Sequence, residues 1–364
     1  MAGNHDPETM PWWSWAAPVA AAALLAAKFS GLVPASSAIV LLLATILLGG
    51  AVFAAVHHAE VIALRVGEPF GSIVLAAAVT VIEVALIVSI MLSAPDGAPA
   101  TARDTVFAAI MIVLNGIVGL CLLAGGIRHH EQGFRAPGAT GALGVLGTLA
   151  TLVLILPNHT TTTPGPVYAP SQLVFVAVVS LALYGLFLFV QAVRHRSYFM
   201  DEDSDDAPHA PPSDRSVARS AGLLLLALGG VILLAKTLSP AVDRAIEAAG
   251  LPDACVGIVI AGVVLLPEGL AAYRAAQANR LQTSLNLALG SSLATIGLTI
   301  PAVTIVSLAI GVPLSLGLQA GHVVLLVLSL FASTLTLAAG RSTVLQGGVH
   351  LVIFAAFLVM SAVP

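Results

Sequence analysis

The sequence predicts an all-α integral membrane protein of about eleven transmembrane helices, one extra helix followed by two inverted five-helix repeats. Three observations carry this. Only 9% of the 364 residues are charged and 58% are hydrophobic, whereas a water-soluble domain carries about 25% charged residues to keep its surface wet. The mean hydropathy is +1.02. Apolar runs close to the ~20 residues that cross a bilayer recur along the chain, and one strongly polar stretch, Arg194 to Arg219, divides them.

The runs fall near 12–30, 36–57, 70–93, 105–127, 139–157 and 169–193, then near 218–236, 254–273, 284–308, 317–339 and 344–362. The first carries no Lys or Arg ahead of it, and Lys28 comes only after it. It therefore lacks the basic n-region of a signal peptide. Trp12, Trp13 and Trp15 read instead as an interfacial anchor at the head of a membrane helix. Between the sixth and seventh runs stand Asp201, Glu202, Asp203, Asp205 and Asp206, then Pro208, Pro211 and Pro212. Such a composition cannot bury a core and predicts a solvated linker. The expected organisation is an amino-terminal segment with the extra helix over 1–33, a first repeat over 34–193, the acidic linker over 194–217 and a second repeat over 218–364. Five helices per half make the second half enter from the opposite side, the geometry of an inverted repeat.

With the linker placed in the cytoplasm, ten basic residues fall inside: Arg65, Arg128, Arg135, Arg194, Arg196, Arg215, Arg219, Arg274, Arg280 and Arg341. Four fall outside: Lys28, Arg103, Lys236 and Arg244. The positive-inside rule then predicts a multi-pass protein of the cell membrane with linker and amino terminus in the cytoplasm.

Of the eighteen acidic residues, the runs leave two well inside the membrane, Glu83 in VTVIEVALIVS and Glu268 in LLPEGLAAY. Each lies in the second helix of its half. A charge at mid-membrane costs about 2.5–3.5 kcal/mol or more, so a symmetric pair points to one shared site. Thr80 lies one turn before Glu83 on the same face. Pro267 precedes Glu268 and cannot donate to the carbonyl of Val263. That freed carbonyl suggests a broken helix that offers oxygen to a cation. Asn115, Ser291 and Ser292 follow on the next helices. Carboxylates, amide, hydroxyls and carbonyl form an all-oxygen set suited to a hard cation such as Ca²⁺. The plainer readings stand beside this. A glutamate at depth can stay protonated and hydrogen-bonded to a neighbour, and Asn115, Ser291 and Ser292 can serve as polar glue between helices.

Other residues carry less chemistry. Cys121 and Cys255 form no CxxC pair and read as small core residues. His57 and His58 sit near the cytoplasmic end of the second helix, where pH sensing is conceivable, but a satisfied neutral ring is the simpler reading there and for His322 and His350. Gly125–Gly126 and Gly347–Gly348 read as close-packing positions or helix ends. No basic tract with interleaved aromatics supports nucleic-acid binding. Neither HExxH nor a paired-Asp motif supports a membrane-embedded enzyme.

Longer segments carry a resemblance. HHAEVIALRVGEPFGSIVLAAAVTVIEVALIVSIML (57–92) and LLPEGLAAYRAAQANRLQTSLNLALGSSLATIGLTIP (265–301) resemble the two alpha-repeats of ChaA-type calcium/proton exchangers in the calcium/cation exchanger superfamily. GRSTVLQGGVHL (340–351) is similar to the closing helix motif, and DEDSDDAPHAPP to the acidic linker. The resemblance implies a sodium/calcium exchanger-like fold and an antiporter, with no enzyme activity and no cofactor, that moves cytoplasmic Ca²⁺, and also Na⁺ or K⁺, against entering protons. It implies that the paired glutamates fall on Glu83 and Glu268, the first-repeat asparagine on Asn115 and the GSS serines on Ser291 and Ser292. Many relatives carry Gly-Asn shortly before each glutamate, where this chain has Val79-Thr80 and Val264-Leu265, as ChaA-type sequences do. The expected partners are inorganic cations, protons and the lipid bilayer. A monovalent Na⁺(K⁺)/H⁺ antiporter and a cation channel are the competing readings.

Overall fold

The computed structural model describes residues 10–34, 37–67, 70–93, 99–201, 212–252 and 254–363. Ten residues of the expected 194–217 linker, Glu202 to Pro211, lie outside the described residues, as do Glu68 and Pro69 of the GEPFG segment. Among the described residues the chain is almost wholly helical: α1 (Trp12–Phe29), α2 (Ala38–Val66), α3 (Phe70–Ser93), α4 (Thr101–Met111), α5 (Val118–His129), α6 (Ala136–Ala150), α7 (Pro170–Phe189), α8 (Asp214–Ala248), α9 (Ala254–Gln277), α10 (Leu281–Ala294), α11 (Ile300–Ile310), α12 (Ala320–Ala338) and α13 (Val344–Ala362). The π turn Ile112–Ile117 joins α4 to α5, and the π turn Thr295–Thr299 joins α10 to α11. Each pair makes one span, so all eleven expected segments are helical.

Ten of these spans are long and apolar enough to cross a membrane. The first, α1, is not among the ten: eight of its 18 residues are alanine, only modestly apolar, and three tryptophans and Lys28 dilute them further. Two helices outrun their apolar stretches. α2 was expected to end near 57 and runs to Val66; α8 was expected over 218–236 and spans Asp214 to Ala248. Hydropathy marks what lipid accepts, whereas backbone hydrogen bonding carries a helix on through polar residues. The overrun ends meet where Arg65 Nη2 lies 2.5 Å from Asp214 Oδ1.

The chain packs as two compact units, residues 1–89 with 205–245, and residues 90–204 with 246–364. In the first, α1, α2 and α8 share a small core of Ala21, Leu25, Ala44, Leu234 and Leu238. Lys28 Nζ donates to Thr237 Oγ1 at 2.7 Å. His58 is buried, its Nε2 3.0 Å from the Ser14 carbonyl oxygen and its Nδ1 3.3 Å from Ser220 Oγ. It is the satisfied histidine that its apolar helix leads one to expect. Trp12, Trp13 and Trp15 are exposed at the head of α1.

The second unit shows the inverted repeat directly. At one end of α6, β1 (Gln132–Gly133), between α5 and α6, pairs antiparallel with β2 (Arg341–Ser342), between α12 and α13. At the other end, Val167 in the α6–α7 loop bridges Ser315 in the α11–α12 loop. There Asn158 Nδ2 donates to the Leu318 carbonyl at 2.7 Å. Exchange of the two halves turns each pairing into the other, because the α5–α6 loop corresponds to α11–α12 and the α6–α7 loop to α12–α13. The helices obey the same exchange: α5 packs on α13, α11 packs on α7, and α6 packs on α12. Near the second bridge Tyr168 donates from Oη to the Leu152 carbonyl at 2.5 Å. Burial pushes its phenol up to about 12, so this donor keeps its proton at any pH a cell meets.

Glycines set how closely α5 and α13 approach. A Cβ on Gly347 would stand 2.4 Å from the Leu123 nitrogen, and one on Gly126 would stand 2.7 Å from the Val344 nitrogen. A Cβ on Gly119 would stand 3.0 Å from that of His350. Of the pairs singled out in the sequence, Gly126 and Gly347 are close-packing positions, Gly125 faces the Gln132 side chain, and Gly348 meets nothing within 4 Å. Backbone atoms cannot yield as a flexible side chain can. Gly347→Ala is therefore expected to force α13 off α5 and to cost about 1–3 kcal/mol, read as a lower melting temperature of the detergent-solubilised protein. Gly348→Ala serves as the control and should leave it unchanged.

Candidate cation site

Glu83 lies in the middle of α3, in a helix built from Val, Ile, Leu and Ala. Its side chain is only 3% exposed, and Thr80, one turn earlier, is also buried. Thr80 Oγ1 finds no hydrogen-bond partner among the described residues. Both belong to the first unit.

Glu268 lies in α9 of the second unit and is 9% exposed. Among the described residues these two are the carboxylates that are buried. The broken helix expected at Pro267 does not form, and α9 runs unbroken from Ala254 to Gln277. A proline inside a helix removes one donor, and packing on both sides can hold the axis through the gap. The half-buried Val263 keeps a carbonyl that Pro267 cannot bond. Of four π turns among the described residues, two follow α4 and α10 on the neighbouring spans, and the others, Thr151–Ile155 and Val190–Arg194, follow α6 and α7. Such turns recur at functional sites.

The second unit brings four of the expected residues onto touching elements. α9 lies against α4, α5, α10 and the Ile112–Ile117 turn, and α10 lies against that turn as well. Next to Glu268, a Cβ on Gly269 would stand 3.0 Å from Ile117 Cδ1, so α9 meets the turn that carries Asn115. Ser291 and Ser292 stand on α10 with hydroxyls that are buried and have no hydrogen-bond partner among the described residues. Orphaned buried hydroxyls are costly and suit a cation that comes and goes.

Asn115 is fully buried, and its amide is engaged at both ends. Nδ2 donates to Ser329 Oγ at 2.8 Å, and Oδ1 lies 3.2 Å from His350 Nδ1. His350 Nε2 lies 3.1 Å from Thr336 Oγ1. Ser329, Thr336 and His350 escaped the sequence reading as site residues. A signal existed: Ser329, Ser333 and Thr336 recur at helical spacing in an otherwise apolar run, and all three are buried on α12. The reading also left Asp104 outside the membrane. It stands in the first turn of α4, where Arg103 Nε donates to Asp104 Oδ1 at 2.7 Å and Arg103 Nη1 to the Gly317 carbonyl at 3.2 Å.

Comparison with known proteins bears on this arrangement. The family described as "Sodium/calcium exchanger protein" matches residues 36–193 and again 219–363, once in each half. The chain belongs to the sodium/calcium exchanger family. It is thus a multi-span cation exchanger of the calcium/cation exchanger superfamily, a family of transporters. Among relatives of this exchanger, the Sinorhizobium fredii protein y4hA, named as an ionic transporter, is 54% identical over 98% of this chain and 97% of its own. The sodium-potassium/proton antiporter ChaA of Escherichia coli is 37% identical over 85% of this chain and 84% of its own. A Ca²⁺/H⁺ antiporter of Aphanothece halophytica is 26% identical over 84% of this chain and 86% of its own. The solved structure of native YfkE superposes with a TM-score of 0.74 over 96% of this exchanger and 100% of that chain, at 15% identity, which bears on the fold.

Proposed function

We propose that this exchanger moves cytoplasmic Ca²⁺ out of the cell against entering protons, with Glu83 and Glu268 acting together as one cation site. The observation that supports this is the pair itself: two buried carboxylates, each in the second helix of its half, where the described residues are otherwise almost free of buried charge. In such folds the sites lie at mid-membrane where the repeats meet. Protonation and cation binding are alternative ways to neutralise the same two carboxylates. The Thr80, Ser291 and Ser292 hydroxyls, the Asn115 amide and the Val263 carbonyl add neutral oxygens to the set. Alternating access then needs the cation-loaded and protonated forms to cross more readily than the empty, doubly charged one.

Selectivity follows from charge balance. Two carboxylates balance one divalent ion, whereas one Na⁺ or K⁺ leaves a residual charge that is expensive at low dielectric. The second reading, a monovalent antiporter, draws on the 37% identity to ChaA, a sodium-potassium/proton antiporter. For the membrane we propose the cell membrane, with the amino terminus and the 194–217 linker in the cytoplasm, separating a first repeat over 34–193 from a second over 218–364. The ten-to-four split of basic residues supports that orientation.

Three measurements test these readings. In vesicles with an imposed pH gradient, Glu83→Gln and Glu268→Gln should each reduce Ca²⁺-induced dequenching of a pH dye to the level of empty vesicles, with protein still inserted. Full activity of either variant removes the shared site. In the same vesicles, half-saturation measured across a pH series should come at lower concentration for Ca²⁺ than for Na⁺ or K⁺, with monovalent transport growing toward alkaline pH. Na⁺ or K⁺ saturating where Ca²⁺ does nothing establishes the monovalent reading instead. A reporter fused near Pro208 should be active only as a cytoplasmic one, and periplasmic activity there inverts the topology.

A further inference from the structure

Asn115 stands in a chain of hydrogen bonds whose direction can be worked out from one end. Ser329 Oγ has two acceptors in reach, the Leu325 carbonyl of its own helix at 2.7 Å and Met111 Sδ at 3.3 Å, and either takes its single hydrogen away from Asn115. Towards Asn115 it therefore accepts, and the group 2.8 Å away must be the amide nitrogen. The amide oxygen then points to His350 Nδ1, which must carry a hydrogen to bond it. In a neutral ring that leaves Nε2 as an acceptor, matched by the Thr336 hydroxyl. Every group in the chain is satisfied with the imidazole uncharged, and the polarity is anchored at Ser329. An amide oxygen has two lone pairs, and His350 takes one.

We propose that His350 is a positioning residue for cation binding. It holds the Asn115 amide with its oxygen, not its NH₂, as the end left available to a cation. The inference rests on the reading of Asn115 as a ligand and adds to it residues of the last two helices, which contribute no expected ligand. Gly119 makes the arrangement possible, because a side chain there would collide with the His350 Cβ at 3.0 Å. Without the Nδ1 donor one of the two hydrogen bonds that fix the amide is lost, and Ser329 alone resists its turning over to present hydrogens to the incoming cation.

Geometry selects the test. The Asn side-chain nitrogen falls where His Nδ1 lies, whereas the Gln nitrogen falls nearer Nε2. In proteoliposomes holding the full chain, Asn115→Ala and His350→Ala should each raise the half-saturating Ca²⁺ concentration about tenfold, the loss of roughly one hydrogen bond to a charge-bearing site. His350→Asn should bring it back to within about twofold of the unmodified protein, and His350→Gln should not. That rescue pattern separates positioning from a merely structural role. If His350→Ala fails to fold, the Asn and Gln variants decide alone. An unchanged half-saturation in His350→Ala, or equal rescue by Asn and Gln, overturns the positioning role while Asn115 stays a ligand. An unchanged value in Asn115→Ala removes Asn115 as a ligand, and the role of His350 with it.

Discussion

An ionised carboxylate cannot rest alone among apolar helices, and that constraint orders the chemistry of this chain. The cost of an uncompensated charge in such surroundings is large enough that evolution keeps very few. Here Glu83 and Glu268 are buried, while Asp104 is matched at once by Arg103 on the neighbouring residue. In the proposed reading the counter-charge of the two glutamates is a proton or a cation that comes and goes with the transport cycle.

Inverted symmetry supplies the scaffold for this economically. The α5–α6 and α12–α13 turns clasp each other through β1 and β2, and the α6–α7 and α11–α12 loops do the same at the far end of α6. A single folding unit, read twice in opposite directions, secures both faces. Within it the glycines of α5 and α13 decide how near two backbones come, and so whether a histidine on α13 reaches the asparagine on the Ile112–Ile117 turn that leads into α5. In a bilayer, where apolar side chains gain little by leaving lipid for each other, such close packing and interhelical hydrogen bonds are what hold helices together.

Much of this was legible in the sequence, for identifiable reasons. Spans follow from hydropathy because lipid tolerates almost nothing but apolar helix. Glu83 and Glu268 stood out because charge is rare there, and Gly126 and Gly347 because small residues mark contacts. What failed was what depends on local hydrogen bonding. Pro267 was expected to break α9 and did not, and no residue pattern announced the π turns at Ile112–Ile117 and Thr295–Thr299. The ends of α2 and α8 were missed because polar residues extend a helix without extending an apolar run. His350 was read as a satisfied histidine, which it is; its partner, 235 residues earlier in the chain, is what sequence alone does not give.

That separation has a consequence for how the protein is made. Ribosomes add about 5–20 residues per second, so α5 is in place for tens of seconds before α12 and α13 emerge. Throughout that interval the Asn115 amide has none of its eventual side-chain partners Ser329 and His350, since both lie more than 200 residues downstream. The nascent first half must shelter an amide in or beside the translocation machinery, or let it hydrogen-bond to whatever water or lipid headgroup it can reach. Completion of the last two helices, rather than insertion of the first, is then the event that commits the half-built transporter to its final packing. A chain truncated before α12 would carry a permanently unsatisfied polar group at depth, the kind of defect that membrane quality control is suited to find.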